Sequence, residues 1–258
     1  MAGFAILCFF VACGILSLIW VPFNPLDSVG SAYLPPSHQY WFGTTNIGQD
    51  VFSQWLIGIR PTLLVGFFAA LVTAGLGITT GIAAGYLRLA DEPLMRAADV
   101  ILTLPALPLL IVLAVFFRPS DFSVALLIAF LSWAGMARTL RSSVLTLKRL
   151  PFVEVAVLSN VPSHKIMFVD MLKHTLPLIL TYSLFAVGGA ILTVASLDFL
   201  GLGPADYSWG FMIAHANNSY ALQSGAWWWE FFPGISIAII VTGLALIAYG
   251  LEAAAKNM

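Results

Sequence analysis

The 258-residue chain is 60% hydrophobic and only 9% charged, with a mean hydropathy of +0.95. Soluble domains carry roughly 25% charged residues, so this chain lacks the polar atoms to cover a water-facing surface. This composition excludes disorder, a coiled coil and a disulfide scaffold, and 11 Lys and Arg against 12 Asp and Glu leave no basic excess to hold a phosphate backbone.

A helix crossing the hydrocarbon layer needs about 20 apolar residues. Six windows free of Asp, Glu, Lys and Arg meet or approach that length, and they predict an all-α integral membrane protein. A strand alone cannot satisfy its backbone in lipid, and the alternating ten-residue segments of a barrel are missing. The first window, residues 4–21, contains both cysteines, Cys8 and Cys13. It lacks the basic start of a signal peptide and exceeds the usual apolar core of one, so it reads as a retained span. Residues 22–60 follow as a loop rich in Pro, Gly, Ser and Asn, with a short helix expected over 50–56.

The second span covers 61–87, and within it Gly77, Gly81 and Gly85 recur every fourth residue, a row that lets another helix approach closely. The third covers 100–117, where Pro105 and Pro108 should bend the helix; Pro177 should do the same in the fifth. The fourth window, 122–137, extends to about 141 if the charge of Arg138 reaches the headgroups.

Residues 148–173 form the informative connection. Phe152, Val153, Ala156 and Val157 recur at helical spacing, Ser159-Asn160-Val161-Pro162 breaks the pattern, and Ser163 can cap a second short helix carrying Ile166, Val169 and Leu172. Two such amphipathic helices must bury their apolar stripes, either on the bilayer surface or in a groove on a partner protein. The fifth span, 175–197, leads to a loop over 198–230 with no Lys or Arg, and the sixth covers 231–251. Trp227 to Trp229, just before that last span, fit an interfacial belt, whereas Ser208-Trp209-Gly210 lies too far from a span for a belt to explain.

Orientation follows from the cations. With the N-terminus cytoplasmic, nine of the eleven Lys and Arg fall inside, six of them between Arg138 and Lys173; only Arg60 and Arg118 fall outside. Both termini are therefore expected in the cytoplasm. No acid or base falls plainly at mid-membrane, which leaves a proton relay little to work with. A stand-alone secondary transporter or channel would call for such charges or for paired broken helices, and an intramembrane enzyme for a nucleophile–base or metal constellation. The chain has no phosphate-binding Gly-Lys pair, and His38, His164, His174 and His215 are scattered without metal-ligand spacing.

Several segments, in order, resemble the second permease subunit of binding-protein-dependent ABC transporters for dipeptides, oligopeptides or nickel. The run from Phe42 through Gly48-Gln49-Asp50-Val51 to Gln54 resembles that family's FGTDxxGRDVxSR. Ala195-Ser196-Leu197-Asp198-Phe199-Leu200-Gly201-Leu202-Gly203 resembles its ASLSFLGLG, and Ser208-Trp209-Gly210 its SWG. Arg60 to Gly66, Ala84-Gly85-Tyr86, Met95-Arg96 with Asp99, Trp133 through Arg138 and Arg141, and Phe232-Pro233-Gly234 fit between and after these.

The resemblance implies a single permease domain over 1–258 with the type I importer fold and a cytoplasmic coupling helix. It also implies a homologous second permease, two ABC ATPase subunits that bind ATP and Mg, an extracytoplasmic binding protein, and a place in a bacterial or archaeal plasma membrane. No cofactor is expected on this chain. The coupling contact would fall on Phe152, Glu154, Ala156, Asn160, Ser163 and Lys165, and the side facing the binding protein on Asp198, Gly201, Gly203, Trp209 and Gly210. Peptides are the implied cargo, with nickel or a metal chelate as the alternative. This chain departs from the family pattern at Val155, at Asn160 where glycine is expected, in the late placement of Leu176-Pro177, and at Thr45, Gln49 and Gln54.

Overall fold

The computed structural model describes residues 1–116, 120–203 and 207–256, with side chains described through residue 254. Among these every extended regular element is helical: α1 (Ala2–Leu16), α2 (Val51–Tyr86), α3 (Arg88–Thr103), α4 (Ala106–Phe116), α5 (Asp121–Leu147), α6 (Pro151–Leu158), α7 (Ser163–Lys165), a π-helical turn (Ile166–Met171), α8 (Leu172–Phe199), α9 (Trp209–Asn218) and α10 (Trp228–Lys256). The expected outer cation Arg118 lies outside the described residues.

Four helices are long and apolar enough to cross a membrane: α2, α5, the continuous run Ser163–Phe199, and α10 from Trp228 to Ala254. The pair α3 and α4 makes a fifth crossing if counted as one span, bent by 85°. Leu104, before Pro105, takes an extended conformation (φ −77°, ψ 136°), because the proline ring disfavours helical backbone at the preceding residue. Pro105 thus breaks the expected third span outright. Pro108 falls in the first turn of α4, where a missing N–H costs nothing. Pro177 lies inside an unbroken α8.

Two other boundaries differ from those in the sequence pattern. The first apolar helix stops at Leu16, short of residue 21; Ser17 occupies its C-terminal cap and donates its hydroxyl to Gly14 O at 2.7 Å. Its 15 residues rise about 22 Å.

The expected short helix over 50–56 and the second span are one 36-residue helix, α2, running through Pro61. An interior proline costs about 3 kcal/mol. Trp55, Leu56, Ile59 and Leu63 are all buried around it, and this packing carries the helix through the proline. Asp50 starts this helix, accepting the Ser53 N–H at 2.8 Å and the Ser53 hydroxyl at 2.6 Å.

Helix α2 lies at the centre, packed most extensively on α5 and then on α8. Gly77, Gly81 and Gly85 line the α2–α5 seam. A Cβ would stand 2.8 Å from the Met136 side chain at Gly77, 2.7 Å from Ala137 O at Gly81 and 2.6 Å from Val144 Cβ at Gly85. No larger residue fits without separating the helices.

Helix α5 continues nine residues beyond Arg138 to Leu147. It can do so because α3 supplies acids to its cations: Arg138 pairs with Asp99, and Arg141 with Asp91, the Nη2–Oδ2 contact being 2.7 Å.

Candidate functional site

The helices gather two contrasting regions at opposite ends of α2. The basic end holds α6, preceded by Lys148 and Arg149, with Lys148 Nζ donating to Tyr86 O at the end of α2 at 2.7 Å. Pro151 occupies the first position of α6, where its fixed φ favours initiation. Only Val153 is fully buried among the residues of this helix. It packs in a cluster with Ile82 of α2, Val144 of α5 and Ile166, Met167 and Met171 of the π-helical turn. Phe152, expected as an apolar anchor at a partner contact, is engaged within the chain, its ring stacked on His174 at 4.6 Å between centroids.

The end of α6 is a tight αL turn. Asn160 has φ +52°, its N–H donates to Val157 O at 3.0 Å, and the Val161 N–H donates to Ala156 O at 3.0 Å. This pair of bonds is the Schellman arrangement, in which glycine is the usual left-handed residue and asparagine the next best tolerated. Asn160 therefore keeps the turn that a glycine would make.

Ser163 does not cap: Pro162 holds the cap position without a side-chain bond, and Ser163 is the first helical residue. Nor is there a separate second helix. Helix α7 passes through the π-helical turn into α8 as one 37-residue run, because Ile166, Met167 and Met171 bury toward α2 and α5.

Of the candidate coupling residues, Glu154, Asn160, Ser163 and Lys165 are exposed, and Phe152 and Ala156 are half-buried. Beside them Val155, Val157 and Leu158 are open, Leu158 to 75%. Helix α6 is thus braced by one buried valine and two half-buried residues, and leaves Val155, Val157 and Leu158 exposed.

The opposite end is closed. Asp198, Trp209 and Gly210, expected to face outward, are buried within the chain, so that expectation is corrected; Gly201 is exposed and Gly203 half-buried. Helix α8 ends in the same way as α6: Gly201 has φ +74°, and Gly201 and Leu202 donate to Asp198 O and Leu197 O at 2.9 Å each.

Asp198 then accepts a hydrogen bond from the Ser208 hydroxyl, and Ser208 Oγ accepts the Phe211 N–H at 3.0 Å, capping α9. A Cβ on Gly203 would collide with Asp198 Oδ1 at 1.4 Å, and one on Gly210 with Ala195 Cα at 2.7 Å. These residues form a joint between α8 and α9.

Trp209 completes it, fully buried, with its indole N–H donating to Trp55 O at 3.1 Å and its ring edge-on to Phe10 at 5.4 Å. Trp228 and Trp229 are also buried, correcting the belt expected there; only Trp227 is half-exposed. Trp228 packs into this core and donates to Thr44 O at 3.3 Å.

Helix α9 itself escaped sequence reasoning. Its one local signal is Ser208 ahead of Trp209, a capping serine set in an apolar run. Among the described residues no group of His, Cys, Asp and Glu could hold a metal ion.

Comparison with known proteins agrees with this architecture. Residues 75–255 match the family described as the binding-protein-dependent transport system inner membrane component. A putative peptide permease protein of Brucella suis biovar 1 (strain 1330) is 33% identical over 241 residues, covering 91% of this chain and 78% of the relative. The dipeptide transport system permease protein DppC of Bacillus subtilis (strain 168) is 33% identical over 258 residues, covering 98% and 79%. The probable D,D-dipeptide transport system permease protein DdpC of Escherichia coli (strain K12) is 33% identical over 232 residues, covering 89% and 76%. A family match over most of the chain, with these relatives covered over more than three quarters of their length, places the molecule: this chain belongs to the inner membrane components of binding-protein-dependent transport systems, a multi-pass permease family.

Proposed function

We propose that the chain is one of two permease subunits of an ATP-driven importer, forming half of the pathway for peptides handed over by an extracytoplasmic binding protein. In this reading α1 and the bent α3–α4 pair join the four long helices to give six passes. The basic end lies in the cytoplasm with both termini, and the tryptophan-rich end faces the binding protein. Two ABC ATPases hold the ATP and Mg, and the chain itself contributes no catalysis and binds no cofactor. The names of the relatives support peptides, in preference to nickel, as cargo.

The observation carrying the proposal is α6. Its buried Val153 fixes it to helices α2 and α5, while Val155, Val157 and Leu158 stay uncovered. A chain with no nucleotide-binding motif needs such a handle if ATP hydrolysis elsewhere is to move it. Leu158→Glu, on an exposed side chain, should leave the thermal midpoint of the purified chain nearly unchanged. It should abolish ATPase co-purification or cut ATP-driven peptide uptake in proteoliposomes at least tenfold, and Glu154→Lys should act in the same direction. Uptake and co-purification at wild-type levels in both variants would overturn the assignment of α6.

A further inference from the structure

Between the end of α1 and the start of α2 lies a cavity of about 160 Å³, lined by Trp20, Phe23, Trp41 and Phe52 with Gln39 and Asp50. Three of the rings are in sequence contact: Trp20 lies 6.3 Å from Trp41, and Trp41 lies 4.8 Å from Phe52, centroid to centroid. Asp50 is 1% exposed. Its Oδ2 is fully used by Ser53, while its Oδ1 is buried and accepts no hydrogen bond among the described residues. Ser53 also positions the cage wall, since its Oγ accepts the Phe23 N–H at 3.1 Å. Burial pushes the Asp50 carboxyl above the ordinary carboxylate range, against the lowering effect of its Ser53 bonds.

A buried carboxylate oxygen without a donor is costly, and a cation beside it removes that cost. Aromatic rings around the same space attract a cation through their faces, and rings enclosing a carboxylate suit an alkylated or primary ammonium more than a strongly hydrated metal ion. The volume admits a group of trimethylammonium size. No other titratable side chain lines this cavity. We propose that Asp50 and the Trp20–Phe23–Trp41–Phe52 cage form a binding site for an organic ammonium group. The half-exposed rings of Trp20 and Trp41 leave the site reachable from outside the chain. An ammonium of this kind comes either on a phospholipid headgroup or on a free amine.

The test uses the full chain in its purified transporter assembly. Calorimetric titration with choline chloride should show saturable binding at least tenfold tighter than with 3,3-dimethylbutan-1-ol, its neutral isostere. Asp50→Asn should weaken choline binding at least tenfold, because asparagine keeps the helix cap but carries no charge. Trp41→Leu, on an exposed ring, should do likewise with an unchanged melting temperature. In nanodiscs of mixed phosphatidylethanolamine and phosphatidylglycerol, native mass spectrometry then separates the sources. Retention of ethanolamine lipid that Asp50→Asn abolishes identifies a headgroup site, and choline binding without lipid discrimination identifies a site for free amines. Choline binding no tighter than the isostere, or equal in Asp50→Asn and wild type, overturns the proposal.

Discussion

The two ends of this molecule handle their polar atoms in opposite ways. At the tryptophan-rich end Trp55, Trp209 and Trp228 are buried with their indole N–H groups bonded, Trp55 to Ser236 Oγ at 2.8 Å. At the basic end the Arg138–Asp99 pair is open, its side chains being 54% and 58% exposed, and Val155, Val157 and Leu158 of α6 are uncovered. One end buries its large aromatic side chains and bonds three of their indole N–H groups within the chain; the other leaves charged and apolar side chains exposed. Membrane bundles gain little from apolar burial between helices, so close packing and hydrogen bonds such as these carry more of the association.

That contrast can be broken from its strong side first. Trp209→Ala removes the ring at the junction of α1, α2 and α9, and should cost about 3–5 kcal/mol. Thermal unfolding in detergent should show a large fall, and a change under 1 kcal/mol would mean that the closed end does not hold the fold. The turn after α6 offers a finer probe. Asn160→Val places a β-branched side chain at φ +52° and should cost about 1–2 kcal/mol, whereas Asn160→Gly should be neutral. Equal effects of the two on the melting curve would remove the left-handed turn from the account. The smallest effect is expected at the open ion pair. Arg138→Ala should change stability by about 0–1 kcal/mol, less at high salt, as read by the same unfolding assay across ionic strengths.

The legible part of this fold was what hydrocarbon demands. Charge-free windows marked α2, α5, α8 and α10, and the four-residue glycine period marked the seam where α2 meets α5. Helix ends were less legible, because tertiary packing overrides local signals there. Pro61 looks like a start, yet Trp55 and Ile59 bury on one side of it and Leu63 on the other, and the helix runs through. Ser163 looks like a cap, yet Pro162 takes that position and the burial of Ile166 and Met171 fuses the segment to α8.

The motif around Asp198 and Trp209 was visible as a pattern but not as a role. Nothing local tells whether a carboxylate faces outward or turns back onto Ser208. The aspartate at the start of α2 read as a helix start within a motif, because Trp20, Phe23 and Trp41 come to it from well before it in the chain.

The length of α2 sets a limit on how this molecule can deform. The same rod contributes Ile59 to the tryptophan-rich core and Ile82 to the cluster under α6, about 35 Å apart along one axis. An unbroken helix resists stretching and compression far more than tilting. In the proposed importer, a load on α6 would tilt this rod more readily than shorten or lengthen it, so that a small sideways step at one extremity would reappear, reversed, at the other.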